Sequence, residues 1–542
     1  MKTCCIALIT ALSLPLAAPA LAQVAPDAGR ILRDELNQPP TLPGPSKGLD
    51  IQTPATTKVA PGGPTVTLSA ITFSGNTVFS QDALTAAAGD FNNRPLDLAG
   101  LRELADRVTA VYQQAGYPFA RAFIAPQQLQ DQGTLTIDVV EGRYGNVNTS
   151  GDAALAAPAQ AYLQNLKPGS LIESSSLERT TLLLSDLPGL SIKPVIKPGA
   201  ASGTGDLDIR VERGKPYSAR MGIDNHGNYY SGQWRTRADL ALYSPFITGD
   251  QIDVSALYTE ENLWLGNAQY SLPVGVSGLR AHVGYAQTAY SLGNGFEGND
   301  GIARIASAGV TYPLIRSQRS NLNLSASWQY KRLFNSYSYG TTTERYHSHS
   351  VPLTLGFDHR DNLGGGGVTY GGLSWTHGKL NKDDAVRRGD FNKLNLDLAR
   401  LQALPAGFTL FVRLSAQWAD KNLDSSESMA LGGPNAVRAY PLGESGGDEG
   451  WLGQVELRYA MGDFTPYAFY DQGRMKINAK PSQVSLPSPD ETRAGAGFGV
   501  RYQTRSVNID GVLAWRTHGG APESDTHADP RPRFWLTASY LF

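Results

Sequence analysis
Most of the second half of the chain alternates with a period of two, and the pattern runs to the last residue. In residues 531–542, RPRFWLTASYLF, one face of an extended strand carries Phe534, Leu536, Ala538, Tyr540 and Phe542, and the other carries Trp535, Thr537, Ser539 and Leu541. Residues 321–330 set Leu322, Leu324, Ala326, Trp328 and Tyr330 opposite Asn323, Ser325, Ser327 and Gln329. Residues 408–418 set Phe408, Leu410, Val412, Leu414, Ala416 and Trp418 opposite Thr409, Arg413, Ser415 and Gln417. A sheet around a dry core does not put polar residues on every inner face, whereas a water-filled lumen does. About sixteen such segments follow residue 215, an even number that returns both ends of a barrel to one side of a membrane. The reading is a mainly β chain whose residues 215–542 form a 16-stranded transmembrane β-barrel enclosing an aqueous channel.

The N-terminus supplies an address. Lys2 precedes an apolar run over residues 4–18, too short to span a bilayer, and Ala20-Leu21-Ala22 before Gln23 fits a small-x-small cleavage site. Residues 1–22 therefore read as a secretory signal. Both cysteines, Cys4 and Cys5, lie within it, so the mature chain is expected to have no thiol, disulfide or cysteine-based metal site. No later run of about 20 apolar residues occurs, which excludes helical spans and leaves a closed barrel as the way into a membrane. The 47 basic and 49 acidic side chains nearly cancel, at a net charge of −2, without the basic excess of a nucleic-acid binder.

Residues 23–37 predict a short helix with Ile31, Leu32 and Leu36 on one side and Arg30, Arg33 and Asp34 elsewhere. Residues 38–65, rich in proline and glycine, predict a tether that reaches some tens of ångströms at roughly 3 Å per residue. Two α+β units follow, at 66–142 and 143–214. The first reads as a strand at 66–73, helices at 81–88 and 98–115, and strands at 119–124 and 134–140. The second repeats the order with a strand at 145–149, helices at 152–166 and 173–184, and strands at 191–196 and 205–211. Each ends in an acidic-glycine junction, Glu141-Gly142 and Glu212-Arg213-Gly214, so a unit of about 75 residues occurs twice. The β-α-α-β-β order matches a polypeptide-transport-associated (POTRA) domain. Late in the chain, short turns near 404–407, 460–463 and 504–506 alternate with long loops at 378–390, 419–450, 476–490 and 518–530, the usual asymmetry of periplasmic turns and external loops.

The longest loop, 419–450, contains Val437-Arg438-Ala439-Tyr440, and Phe469-Tyr470-Asp471-Gln472-Gly473 follows one strand pair later. With these motifs the chain resembles the two-partner secretion transporters of the Omp85 superfamily, the group of the haemolysin activators, whose loop reads Val-Arg-Gly-Tyr and whose strand reads Phe-x-x-Asp-Gly or Phe-Tyr-Asp-x-Gly. The resemblance covers the whole mature chain. It implies that Arg438, on a loop folded into the barrel, pairs with Asp471 on the inner wall, where Tyr467, Phe469, Asp471 and Gly473 share a face. A guanidinium fork against a carboxylate fixes orientation as well as charge. Val437, Tyr440, Phe469 and Gly473 carry over as motif residues. Ala439 stands where the family usually has glycine; a positive φ there would cost alanine roughly 1–2 kcal/mol. Gly495, Gly497 and Gly499 strip the inner face of one strand and would leave room for the loop. Tyr540 and Phe542 carry over as the signal by which barrel assembly machinery inserts the chain among outer-membrane lipids.

Two constellations point to other chemistry. Gly443-Glu444-Ser445-Gly446-Gly447 matches a nucleophile-elbow pattern, but that motif needs a strand-to-helix turn and this one lies in a glycine-rich loop. His347 and His349, with Glu344 near them, have the two-residue spacing of surface histidines on a strand. No enzyme activity, catalytic residue, metal or cofactor is expected. The resemblance implies an outer-membrane pore, POTRA domains in the periplasm, that exports one large exoprotein of the haemolysin, haemagglutinin, adhesin or contact-dependent toxin class. That partner would present an N-terminal secretion domain, and the 23–37 helix would plug the pore at rest. The rivals are an Omp85-type barrel-assembly or translocation factor, which would be expected to carry more POTRA units and no tethered helix, and a diffusion porin, which needs no periplasmic repeat.

Overall fold
The computed structural model describes residues 26–36, 39–44, 60–92, 94–485, 489–525, 527 and 529–542. The expected signal at 1–22 and the middle of the tether lie outside the described residues. Helix α1 (Ala28–Leu36) comes first. The first α+β unit holds β1 (Leu68–Ser74), α2 (Gln81–Ala88), α3 (Leu98–Gln114), β2 (Arg121–Phe123) and β3 (Gly133–Val140). The second holds β4 (Arg143–Gly151), α4 (Ala153–Tyr162), α5 (Ser174–Ser185), β5 (Leu190–Pro198) and β6 (Thr204–Arg213). The two sheets have the same order, β1-β3-β2 and β4-β6-β5, each with one parallel and one antiparallel pair.

Side-chain caps start the helices. Ser80 Oγ accepts from Ala83 N in α2, Asp97 from Gly100 N in α3 and Asp152 from Ala154 N in α4. Leu101, Leu104, Val108 and Tyr112 of α3 recur on one face and close the first core with Leu135 and Ile137. Glu141, at the first junction, is buried; its carboxylate accepts Val78 N at 2.8 Å and Tyr112 Oη at 3.1 Å, the Thr77 amide and hydroxyl, and an ion pair from Arg143.

The barrel strands are β7 (Tyr217–Asp224), β8 (Arg235–Tyr243), β9 (Gln251–Thr259), β10 (Trp264–Pro273), β11 (Arg280–Ser291), β12 (Asp300–Arg316), β13 (Ser320–Tyr337) and β14 (Thr342–Asp361). After β15 (Gly367–Asn381), β16 (Gly389–Ala403) and β17 (Phe408–Ala419), two short pieces, β18 (Met429–Ala430) and β19 (Gly446–Gly447), lie in the long loop. Then come β20 (Glu449–Tyr459), β21 (Phe464–Lys476), β22 (Glu491–Gln503), β23 (Val507–His518) and β24 (Arg533–Leu541). Without the loop pieces, β7 to β24 close a barrel of sixteen antiparallel strands, as the alternation predicts. β24 pairs with β7 from Thr537↔Asp224 to Leu541↔Arg220, and the Asn225 side chain extends the seam by bonding Leu536 N at 2.7 Å and the Phe534 carbonyl at 3.0 Å.

The outer face carries Trp328, Val412, Trp418, Phe534, Tyr540 and Phe542, all exposed, while Ser415, Gln417, Asp471 and Trp535 are buried on the inner face. The loop expected at 378–390 is shorter, since β15 runs to Asn381 and β16 starts at Gly389. Backbone pairing persists there beyond the apolar band because a ladder needs no apolar side chains. The second α+β unit docks on the turns of one barrel end. Asp186 takes Arg316 Nε and Nη2, each at 2.7 Å, Glu178 accepts Gln318 N at 2.7 Å, and Arg179 bonds the Pro313 carbonyl at 2.8 Å. The turn 338–341 and the long loops therefore lie at the opposite end.

Candidate functional site
The lumen is filled by two elements, the loop between β17 and β20 and helix α1. β21 alternates Tyr467, Phe469, Asp471 and Gly473 into the lumen, and β20 does the same with Gln454 and Glu456. Arg438, at the loop tip, meets both strands. Its Nε and Nη2 donate to the two oxygens of Asp471 at 2.8 and 2.6 Å, its backbone N donates to Asp471 at 3.1 Å, and Nη1 reaches Glu456 at 2.5 Å. The guanidinium carbon lies 3.6 Å from the centre of the Phe469 ring. Arg438 is 4 % exposed and Asp471 0 %, so this pair is dry. Glu456 also takes Arg458 at 2.6 Å and Arg501 at 3.3 Å, and Arg501 pairs with Asp510, so three guanidinium groups face three carboxylates and the charge closes.

Neighbouring residues seat the backbone. Trp535 Nε1 donates to the Arg438 carbonyl at 2.7 Å, and Gln454 Nε2 to the Ala436 carbonyl at 2.8 Å. Tyr440 Oη donates to the His518 carbonyl at 2.7 Å. Val437 and Leu431 pack with Phe469 and Trp535. A Cβ on Gly473 would stand 2.5 Å from Leu431 Cδ2, so the missing side chain there makes room for the loop.

The glycine ladder divides. A Cβ on Gly495 would stand 2.5 Å from the methyl of Ala439, whereas Gly497 and Gly499 leave space for the rings of Phe469 and Tyr467 on the adjacent strand. The expectation that all three glycines face the loop thus holds at Gly495 alone, because the neighbouring aromatic side chains lean along the wall between the loop and the other two. Ala439 is not among the residues with positive φ, so the alanine is unstrained, and Gly495 supplies the space its methyl needs.

A second anchor lies on the far wall. Glu427 takes Lys331 Nζ from β13 at 2.6 Å and Lys393 Nζ from β16 at 2.8 Å, and its carbonyl accepts Gln417 Nε2 at 3.2 Å. Asp424 accepts Lys382 Nζ at 3.4 Å. This acidic stretch seats α1. Ser425 Oγ donates to Asp27 at 2.7 Å, Arg33 Nη1 donates to Ser428 Oγ at 2.7 Å, and Arg30 bonds the Gly443 carbonyl. Gly29 lies so close to Ser425 and Ser426 that a side chain would collide with the loop. On its other side α1 buries Ala28, Ile31 and Leu32 against Tyr230, Leu265, Tyr290, Leu333 and Tyr346, and Asn335 accepts Ala28 N at 2.9 Å. The chain then runs to the docked end, where Arg360 holds the Pro43 and Gly44 carbonyls at 2.6 and 2.9 Å. A cavity of about 490 Å³ remains between α1, the loop and the wall.

Sequence reasoning missed Glu456, Gln454 and Trp535, although all three share luminal faces with motif residues or with the closing strand. It also missed Glu427, whose two lysines come from strands separated in sequence. Ser445 lies at φ 50° in the loop, before the two residues of β19. His349 is exposed on the outer face, with His347 beside it and Tyr330 4.7 Å from its ring. Neither group joins the luminal network. Among the described residues no cluster of three or more metal-ligating side chains occurs.

The family described as haemolysin secretion/activation protein ShlB/FhaC/HecB matches residues 203–502, and the ShlB-type POTRA domain matches residues 66–142. The chain belongs to the ShlB/FhaC/HecB family. The heme/hemopexin transporter protein HuxB of Haemophilus influenzae (strain 86-028NP) is 27 % identical over 483 residues, covering 85 % of this chain and 84 % of its own. The outer membrane transporter CdiB of Dickeya dadantii (strain 3937) is 25 % identical over 492 residues, covering 86 % and 85 %. The solved structure of CdiB from Escherichia coli has the same fold, with a TM-score of 0.72 at 20 % identity over 92 % of this chain and 94 % of that one. This transporter is an outer-membrane barrel with its two α+β units on the periplasmic side; its relatives in the family are transporters.

Proposed function
We propose that this transporter exports one large secreted protein of the haemolysin, haemagglutinin, adhesin or contact-dependent toxin class, from periplasm to cell surface. The observation that carries this reading is a lumen filled by two parts, a helix on a tether and a loop held by ion pairs, above a mouth flanked by α+β units. In a diffusion pore such a closure has no use. With α1 withdrawn, the tether passing Arg360 lets the helix leave while the barrel stays folded. The periplasm supplies no nucleotide, so folding of the exported chain outside the cell would bias its direction.

Strand addition to an open sheet edge would receive the extended partner through backbone hydrogen bonds. The edges differ. Gly199 N bonds Thr204 O, which turns Pro194 and Pro198 toward the open side of β5, where each lacks a donor. In the first unit β2 covers β3 only from Asp138 to Val140, and the Gln127 amide occupies both the Thr136 N–H, at 3.0 Å, and its carbonyl, at 2.7 Å. That amide is a displaceable stand-in for a strand, so the β3 edge beside Thr134 is the receiving site. Deleting the gene should remove one large protein from the culture medium and leave bulk outer-membrane barrels unchanged; general loss of barrels would indicate an assembly factor instead. Thr134→Cys should cross-link to the stalled partner and Ile196→Cys should not; the reverse pattern would move reception to the second unit.

A further inference from the structure
The outer face holds a group of cations that the closed lumen does not use. Arg304, Arg332, Arg345 and Lys379 lie on four neighbouring strands, β12 to β15, at the end away from the docked α+β units, and all four are exposed. Register places Arg304 across from Arg332, Arg332 across from His347, and His349 across from Lys379. At roughly 4.8 Å between strands the patch is about 15 Å wide.

Among the described residues, none of these four cations has a carboxylate within ion-pair distance. Arg304 Nε meets Gln287 at 3.1 Å, Arg332 Nε meets the Tyr330 hydroxyl at 3.1 Å, and the Arg345 guanidinium lies 5.0 Å from the centre of the Phe334 ring. Like charges directly across a ladder repel, so a bound anion would relieve the Arg304–Arg332 pair. Two other cations at this end of the outer wall are ion-paired, Arg474 with Asp490 at 2.9 Å and Lys476 with Glu449 at 3.0 Å. One step nearer the membrane centre come Trp328, Tyr330 and Trp375, level with the exposed Val351 and Leu353, and below them the exposed Leu355 and Leu373. Aromatic residues of this kind mark the membrane interface, which puts the cations at the level of the lipid headgroups in the outer leaflet.

We propose that this face of β12–β15 binds a phosphorylated glycolipid of the outer leaflet, of lipid A type, with phosphates on the arginines and lysine and acyl chains on the leucine band below. Charge complementarity and continuity with the lipid-facing band select an amphipathic anion over a free one. The full-length protein, purified in mild detergent, should retain lipid A measurable by mass spectrometry. An Arg304→Gln, Arg332→Gln, Arg345→Gln and Lys379→Gln variant that still shows heat-dependent gel mobility should retain about tenfold less, the effect of losing roughly 1.4 kcal/mol. After delipidation, lipid A stripped of its phosphates should bind about tenfold more weakly than the phosphorylated form. Equal retention by the variant, or equal binding of the stripped lipid, would overturn the proposal, as would complete displacement of lipid by an equal concentration of inorganic pyrophosphate. If the fourfold variant does not fold, Arg332→Gln and Lys379→Gln alone should each lower retention; wild-type retention in both would likewise overturn it.

Discussion

Arg438 has no water to fall back on. With Asp471 fully buried, deleting the guanidinium leaves its carboxylate without a cation in a dry wall while Glu456 keeps Arg458 and Arg501, a loss of roughly 3–5 kcal/mol when one partner of a buried pair is removed. Arg438→Ala is therefore expected to lower the denaturant midpoint of the detergent-solubilised barrel and to open loop 419–450 to protease, whereas Arg438→Lys, which keeps the charge without the fork, should fall between. The carbonyl bond from Trp535 is a smaller contribution, and Trp535→Phe should cost about 1 kcal/mol. The Ala439–Gly495 contact tests packing alone. Gly495→Ala drives two methyl groups together at the loop tip and should destabilise the loop, and adding Ala439→Gly should restore its protease resistance.

At the scale of elements, the loop is held on two walls by separate chemistry. Glu427→Gln breaks the β13 and β16 anchor between Ser425 and Ser428, the two loop residues that hold α1, without touching Arg438, so ion conductance in planar bilayers should rise while the Arg438–Asp471 end of the loop stays protected. Deleting residues 26–36 should raise conductance as well, with insertion intact; unchanged conductance in both would mean that α1 does not occlude the pore. In the first POTRA unit, burial works against the Glu141 carboxylate, yet the Thr77 hydroxyl and amide, the Val78 amide and Tyr112 hold its pKa below the ordinary 4.5. A depressed acid stabilises the folded state above its unfolded pKa, and the contribution is lost as pH falls through the folded value. Hydrogen-exchange protection at Thr77 and Val78 in the full-length protein, relative to the intrinsic rate at each pH, is expected to fall below about pH 4.5, and Glu141→Gln should flatten that dependence.

The whole molecule is a closed barrel whose lumen holds a helix and a loop. Sixteen strands leave no free edge, so unboiled protein in mild detergent should run faster on a gel than boiled protein; identical mobility would contradict a closed barrel. The second POTRA unit is tied to the β12–β13 turn by Asp186–Arg316, Glu178–Gln318 and Arg179–Pro313, which holds its sheet beside the mouth. Asp186→Ala removes the bidentate part. It should leave gel mobility unchanged while lowering the yield of an engineered disulfide between the second unit and the β12–β13 turn.

The sequence by itself determined the barrel, the strand number, the faces of the strands and the repeated α+β units, since all depend on a period of two or a repeat and so can be read along the chain, whereas the pairing of Arg438 with Asp471 came from the family resemblance that the two motifs carry. Only the tertiary structure decided what depends on which strands become neighbours. Glu456 and Trp535 join Arg438 because barrel closure brings β20 and β24 around the loop tip, and Glu427 finds Lys331 and Lys393 from strands far apart in sequence. The glycine ladder was read as space for the loop, yet aromatic rings from β21 fill most of it, because side-chain volume crosses between strands in a way that no single-strand pattern records. The outer cationic patch has the same origin. Four charges scattered over residues 304 to 379 become one surface through register alone.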